Sequence, residues 1–186
     1  FLACDRTGAC VTAEGLGGRM VYHTRKGLPV KALTNTPYDE AIESFTCGKP
    51  VRGDVYHSES RFIQAAGKLK EAEALVPESA TQHAFAILES VESHDALGPT
   101  VWSVVYDLTN LRVSFRTLDN RQVRRFDLSA FDLSCAAPVM MLDVLSESAG
   151  DVGAQFVPYS QEANRKLIAR TWAQTPGLSD LPQATL

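Results

Sequence analysis

The chain has 186 residues, 45% of them hydrophobic and 22% charged, which is ordinary for a globular protein of one domain. Its formal net charge of −4 argues against nucleic acid or an anionic membrane as a partner. No apolar run approaches the roughly 20 residues of a membrane-spanning helix, so the sequence predicts no span.

Residues 1–34 predict a meander of short strands. The turn DRTG at residues 5–8 separates the first two strand-like runs, and a Gly-Gly turn separates the second run from RMVYH. A further run, VKALTN at residues 30–35, predicts a strand that ends before Pro37, because proline disfavours helical geometry in the residue before it. Asn35 is therefore expected at the rim of a strand, either as a turn residue or aimed at a ligand.

Three helices are predicted in the middle of the chain. A short helical pattern covers residues 38–45. Ser58 and Ser60 are candidate caps for a longer helix that Pro77 ends, and Ser79 starts the third. The two longer helices each carry their apolar residues on one side, so we expect each to lie on a partner layer.

Residues 100–128 predict a three-stranded antiparallel meander with turns at Thr109-Asn110 and Asp119-Asn120. In its second strand Val113 and Phe115 alternate with polar residues, which predicts one buried and one exposed face. Strands followed by helices and then by strands indicate an α+β domain whose helices cover one sheet face.

The pattern is weaker towards the end of the chain. Residues 138–145 fit a short helix or a buried strand, and residues 146–155 fit a loop. Residues 160–174 predict a terminal helix capped by Ser160, and the tail from Pro176 is expected to be mobile.

The charged residues suggest structural roles before catalytic ones. Arg121, Arg124 and Arg125 are expected on a solvated face. Asp107 and Asp127 lie at strand ends and could form a carboxylate pair, although turn residues are the commoner explanation. The four histidines are scattered, and no catalytic triad, phosphate loop or zinc motif is visible.

The four cysteines, Cys4, Cys10, Cys47 and Cys135, lack the spacing of metal ligands. Four reduced, partly buried thiols are the favoured interpretation, with a hairpin disulfide between Cys4 and Cys10 as the alternative. From the residues alone, the sequence predicts an α+β domain without an assigned activity.

Six short motifs occur in one order between residues 9 and 134: ACVTAEGLGGRMVYH, LTNTP at 33–37, SRF at 60–62, AFAILESV, TVWSVVYDLTN and FRTLDNRQVRRFDLS. Their order resembles the carboxy-terminal half of the choloylglycine hydrolase family, which includes penicillin V acylases and bile salt hydrolases. The connection between LTNTP and SRF is shorter than in typical members. The resemblance covers residues 1–134, so we expect residues 135–186 to form an extension.

The resemblance implies half of an αββα sandwich, the fold of the amino-terminal-nucleophile (Ntn) hydrolases. In these enzymes a cysteine becomes the first residue, and its own α-amino group serves as base for the thiol. Phe1 cannot be that nucleophile, and Cys4 corresponds to an interior strand of the family. The resemblance thus places the nucleophile on an upstream segment or a separate chain, and it implies no cofactor and no metal.

Two residues of this chain match the family's catalytic residues. Asn35 matches an asparagine whose side-chain amide helps to form the oxyanion hole. Arg61 matches an arginine beside the nucleophile, where a permanent positive charge favours the thiolate. The structural alternatives are a turn asparagine and a solvated arginine that pairs with Glu59.

Three functions follow from the resemblance. The first is hydrolysis of a linear amide C–N bond in a small molecule such as penicillin V or a conjugated bile acid. The second is acyl transfer, in which an amine replaces water, and the third is a catalytically inert fragment or binding subunit. Half of a sandwich should expose an apolar sheet face, so we expect association with the upstream segment or homo-oligomerisation. Family members are cytoplasmic or periplasmic, and both locations stay open.

Overall fold

The computed structural model describes residues 1–49, 58–72, 80–94, 98–175 and 177. Helices and strands both occur, which agrees with the predicted α+β class. In chain order the helices and strands are β1 Leu2–Cys4, β2 Cys10–Leu16, β3 Arg19–Thr24, α1 Tyr38–Thr46, α2 Ser58–Ala72, α3 Ala80–Ser90, β4 Trp102–Asp107, β5 Arg112–Thr117, β6 Arg124–Asp127, β7 Met140–Met141, β8 Gly150–Asp151, β9 Val157–Pro158 and α4 Gln161–Gln174.

The first sheet is the antiparallel meander β1-β2-β3, as predicted. Its register places Cys4 directly opposite Cys10, with 4.1 Å between their Cα atoms, and the two form a disulfide. The favoured interpretation of four reduced thiols was therefore wrong. Opposed residues of an antiparallel pair approach closely enough for the bond, and the turn at 5–8 sets that register.

The predicted strand at residues 30–35 was wrong, because this segment is irregular in the structure. The hydroxyl of Tyr38 accepts a hydrogen bond from the Val30 N–H (3.1 Å) and donates one to the Val30 carbonyl (2.8 Å). Both backbone groups of Val30 are thus already satisfied by a side chain and do not enter a sheet ladder. The segment instead closes on itself as a loop that leads into α1.

Helices α1 and α2 pack together over this loop, and their contact forms the main core. α1 begins at Tyr38, as predicted. α2 begins at Ser58, so Ser58 and Ser60 lie within the helix rather than at the predicted cap position, whereas Pro77 and Ser79 lie outside the described residues. The buried members of this core come from the loop and both helices: Leu28, Val30, Ala32, Tyr38, Ala41, Phe62 and Ala66. α2 also packs on α3, and α3 packs on β4 of the second sheet.

The second sheet has the order β4-β5-β6-β8. Its first three strands form the predicted antiparallel meander, while β8 lies parallel to β6 within the segment predicted as a loop. Residues 138–145 contribute the short strand β7, which pairs with β9. Ser160 caps α4 by accepting a hydrogen bond from the Ala163 N–H (3.3 Å), as predicted, and the tail from Pro176 lies outside the described residues except for residue 177.

The strand β5 is buried on both faces, contrary to the predicted alternation. Arg116 is buried because it pairs with Glu92, which follows α3. On β6, Arg124 is fully buried, so the prediction of a solvated face was wrong for this residue, while Arg121 and Arg125 are exposed. The buried charged side chains of this sheet have partners elsewhere in the chain, and a strand pattern does not reveal those partners.

Candidate active site

Asn35 lies in an exposed bend immediately before α1. Within the described residues, its side-chain amide forms no hydrogen bond, so it is not folded back onto its own loop. Thr34, its neighbour, has a buried hydroxyl oxygen that also lacks a partner in the described part of the chain. The side chains of Asn35 and Thr34 therefore have no hydrogen-bond partner within the described residues.

The backbone on the carboxy-terminal side of Asn35 is held from two directions. The Thr36 N–H donates to Ser58 Oγ at the start of α2 (2.7 Å). The Tyr38 N–H donates to the Glu14 carboxylate on β2, at 3.1 and 3.2 Å from its two oxygens. Thr36 and Tyr38 flank Pro37, so both residues of this stretch that have a backbone N–H are anchored.

Arg61 lies in the first turn of α2, three residues after Ser58. It is half-buried, and its Nε is buried without a hydrogen-bond partner among the described residues. Glu59, the expected partner, contacts Lys49 (3.2 Å) and Ser44 instead. The Thr36–Ser58 hydrogen bond thus ties the turn that carries Asn35 to the helix turn that carries Arg61.

A buried polar cluster supports the Asn35 turn from the sheet side. His23 packs on the Tyr38 ring with centroids 4.8 Å apart, and its Nε2 lies 3.6 Å from Glu14 Oε2. Its Nδ1 lies 3.6 Å from the exposed Asp39 carboxylate. Burial raises the pKa of the Tyr38 hydroxyl, although its bond to Val30 acts in the opposite direction. Tyr38 therefore stays a neutral donor and acceptor at neutral pH.

No functional role was predicted from the sequence for Glu14, Tyr38 or His23. A signal for Glu14 was nevertheless present, because it occupies the same face of β2 as the fully buried Thr12. A carboxylate at an inward-facing position of a strand requires a specific partner. That partner, a backbone N–H 24 residues along the chain, has no signature in the sequence.

Asp107 and Asp127 do not form a carboxylate pair, and the turn interpretation is confirmed for Asp107. The side chain of Asn110 donates to Asp107 (2.6 Å), and this bond lowers the pKa of the Asp107 carboxyl. Asp127 accepts two hydrogen bonds from Arg112, at 2.6 and 3.1 Å, and hydrogen bonding to Arg112 is the main cause of its lowered pKa. Both carboxylates therefore accept hydrogen bonds that stabilise the fold, from Asn110 and from Arg112 respectively.

Neither free thiol belongs to a recognisable site. Cys47 and Cys135 are exposed, and Cys4 and Cys10 are oxidised. Within the described residues, no three His, Cys, Asp or Glu side chains are grouped closely enough to hold a metal ion. None of the described helices is long and apolar enough to cross a bilayer.

Solved structures of low sequence identity share this fold. Penicillin V acylase from Agrobacterium tumefaciens superimposes with a TM-score of 0.71 and 18% identity, over 83% of this chain and 54% of that one. Two variants of conjugated bile acid hydrolase from Clostridium perfringens give TM-scores of 0.58 and 0.55 with 14% identity. The superposition with these two variants covers 86% and 83% of this chain, and 53% and 51% of the hydrolase chains. The chain thus shares the fold of part of these proteins, as predicted, and spans about half of their length.

No match was found among the curated protein sequences. The family model of linear amide C–N hydrolases, choloylglycine hydrolase family, matches residues 20–141, which include both Asn35 and Arg61. The chain therefore belongs to the choloylglycine hydrolase family.

Proposed function

We propose that these residues supply the oxyanion-stabilising part of a cysteine amidase that cleaves linear amide C–N bonds. The observation that supports this most is the Asn35 turn, whose backbone is anchored through Thr36 and Tyr38 while the Asn35 amide stays unengaged. Attack on an amide carbonyl builds negative charge on oxygen, and a donor fixed in advance stabilises that charge. One such donor typically contributes about 3 kcal/mol.

Arg61 is proposed as the cation beside the nucleophile. A guanidinium is a positive charge that would favour the thiolate form of a nearby cysteine. A buried Nε without a partner has a free-energy cost, so it is well suited to an acceptor that lies outside the described residues. The bond between Thr36 and Ser58 keeps Arg61 in register with the Asn35 turn.

The nucleophile is proposed to lie on a segment outside these 186 residues. Cys4 and Cys10 have no thiol to offer, and the chain spans 54% of the Agrobacterium enzyme to which it is similar. The thiolate would attack the acyl carbon, Asn35 would stabilise the tetrahedral oxyanion, and the amine would leave with a proton. Water would then hydrolyse the thioester, while an acceptor amine in its place would give acyl transfer.

Exposed apolar side chains support an association with that segment. Met20 and Tyr22 project from β3 on the face opposite α1 and are 53% and 62% exposed. Trp102 and Tyr106 project from β4 on the face opposite α3 and are 62% and 64% exposed. Sedimentation of the isolated chain tests this surface: a stable homo-oligomer or a complex supports it, whereas a clean monomer at high concentration contradicts it.

Turnover assays test the proposed activity. We expect the pure 186-residue chain to hydrolyse neither penicillin V nor a glycine-conjugated bile acid. The natural polypeptide that contains it should hydrolyse an amide of this kind, and mass spectrometry should find the acyl group on a cysteine outside these residues. Turnover by the pure chain would contradict the proposal that the nucleophile lies outside these residues. Acylation of Cys47 or Cys135 would contradict it as well.

A further inference from the structure

The carboxylate of Glu14 is buried inside the protein at the end of a helix rather than on the surface. Glu14 is only 9% exposed, and both of its oxygens lie within hydrogen-bond distance of the Tyr38 N–H, at 3.1 and 3.2 Å. Burial of a charge is costly unless the charge has a specific partner. The first N–H of α1 is that partner, so the carboxylate is fixed relative to the helix.

The amino terminus of α1 needs a cap from elsewhere. Its N-cap residue is Pro37, which has no side-chain acceptor, and no side chain of its own turn caps the helix. Unpaired N–H groups and the helix dipole both favour an anion at this end. Glu14 reaches across from β2 to supply it, and the bond therefore fixes the point at which the chain leaves the Asn35 turn.

Glu14 is itself held in place by its neighbours. The ring of His23 lies against Tyr38, with its Nε2 3.6 Å from Glu14 Oε2. His23 and Thr12 are directly paired across β2 and β3, so this ring position is set by the sheet. The sheet thus carries the carboxylate on β2, with His23 beside it, and the carboxylate binds the first N–H of the helix.

We propose that Glu14 is a positioning residue for Asn35. By fixing the Tyr38 N–H, it holds the turn so that the Asn35 amide keeps one direction when charge develops on the substrate oxygen. This inference rests on the proposed function, because the proposed function gives Asn35 its catalytic role. Glu14 has no contact with substrate in this proposal and acts through the turn.

Backbone amide exchange tests the positioning without any activity. In Glu14→Gln the Tyr38 N–H loses a bond to a charged acceptor, and we expect its exchange to accelerate about tenfold or more. The amides of β5 should be unchanged, since the fold is kept. Glu40→Gln is the matched control, because it removes an exposed carboxylate from the same helix turn without touching the Tyr38 N–H.

A double-mutant cycle in the natural polypeptide tests the link to Asn35. We expect Glu14→Gln to lower kcat about tenfold with little change in KM. In the Asn35→Ala background the same substitution should have almost no further effect, because the group that it positions is gone. A merely structural role would instead give additive losses, together with equal changes in KM and kcat.

The two experiments separate this inference from the proposed function. If no amide is hydrolysed, the proposed function fails, and amide exchange alone decides whether Glu14 holds the turn. If hydrolysis occurs, additive losses in the cycle overturn the inference even when the function stands. Equal exchange rates at Tyr38 in Glu14→Gln and Glu40→Gln also overturn it. Should Glu14→Gln unfold, Glu14→Asp, which keeps the charge but shortens the reach, replaces it with the same expected direction.

Discussion

Two regions of the molecule bury charged side chains, but they use them differently. In the second sheet, Arg116 and Arg121 both donate to the buried Glu92, at 3.0 and 2.8 Å, and join the sheet to the end of α3. Beside α1, the buried Glu14 accepts from the Tyr38 N–H and lies 3.6 Å from His23. The exposed Asn35 side chain close to this contact has no hydrogen-bond partner within the described residues.

We therefore expect the first region to contribute mainly to stability and the second mainly to function. A buried ion pair that joins two elements rigidifies a fold. A buried charge that holds a turn at its backbone orders the turn without using the turn's own side chains. Disruption of the first region should therefore lower the free energy of unfolding, whereas disruption of the second should mainly change catalysis.

The largest loss of stability is expected from Glu92→Ala. It removes the nearer and buried counter-ion of the Arg116 guanidinium, and removal of one partner of a buried pair costs about 4 kcal/mol. Urea unfolding measures this. Glu89→Ala is the control, because that side chain is 61% exposed and lies 3.7 Å from the same arginines. Its loss should stay below about 1 kcal/mol, and equal losses would contradict the ranking.

Arg124→Ala is expected to cost about 3 kcal/mol, from lost hydrogen bonds and an unfilled cavity. The Arg124 guanidinium donates to the Val144 carbonyl (2.6 Å) and to the Thr117 hydroxyl (3.1 Å), and it lies over the Phe115 ring. Burial lowers the pKa of this guanidinium. Arg125→Ala, at an exposed position of the same strand, should change the unfolding free energy little, and a similar loss there would count against this explanation.

The parts of the fold that could be predicted from the sequence are those that depend on contacts between residues close along the chain. The cap at Ser160 and the meander β4-β5-β6 depend on neighbouring residues, so spacing alone predicted them. The strand at residues 30–35 failed because the Tyr38 hydroxyl takes both backbone groups of Val30. Tertiary partners of this kind override a local strand pattern.

The burial of Arg124 was unpredictable for a related reason. Its acceptors include backbone carbonyls about 20 residues further along the chain, and every sequence offers such carbonyls. In the candidate site, Asn35 and Arg61 came from the resemblance to a family, whereas their supports did not. Ser58 was expected only as a helix cap, and Glu14 acts through a contact that only the fold creates.

A smaller effect is expected from Tyr38→Phe, which removes the hydroxyl that closes the loop at Val30. The buried N–H and carbonyl of Val30 would lose their partner at a cost of about 1.5 kcal/mol. Amide exchange at Val30 should rise together with a fall in kcat. Tyr159→Phe is the control, since that side chain is 48% exposed. An unchanged kcat in Tyr38→Phe would argue that the loop does not position Asn35.

The smallest effect is expected in the pH dependence of stability. Burial opposes ionisation of Glu92, but the hydrogen bond and charge of Arg121 and the charge of Arg116 outweigh it and hold the pKa of Glu92 below its usual value. This contribution to stability is complete above about pH 4.5, the unfolded value, and is lost as the pH falls through the lower folded value. Urea midpoints between pH 6 and pH 3 should therefore fall less steeply in Glu92→Gln, and parallel curves would contradict this.

The most direct measurement is the kcat of Asn35→Ala in the natural polypeptide, compared with the unsubstituted protein on the same amide. Loss of an oxyanion donor should lower kcat about a hundredfold or more while KM and the free energy of unfolding stay nearly constant. An unchanged kcat would show that the Asn35 amide does not face the developing charge, and the proposed catalytic role of this turn would be wrong.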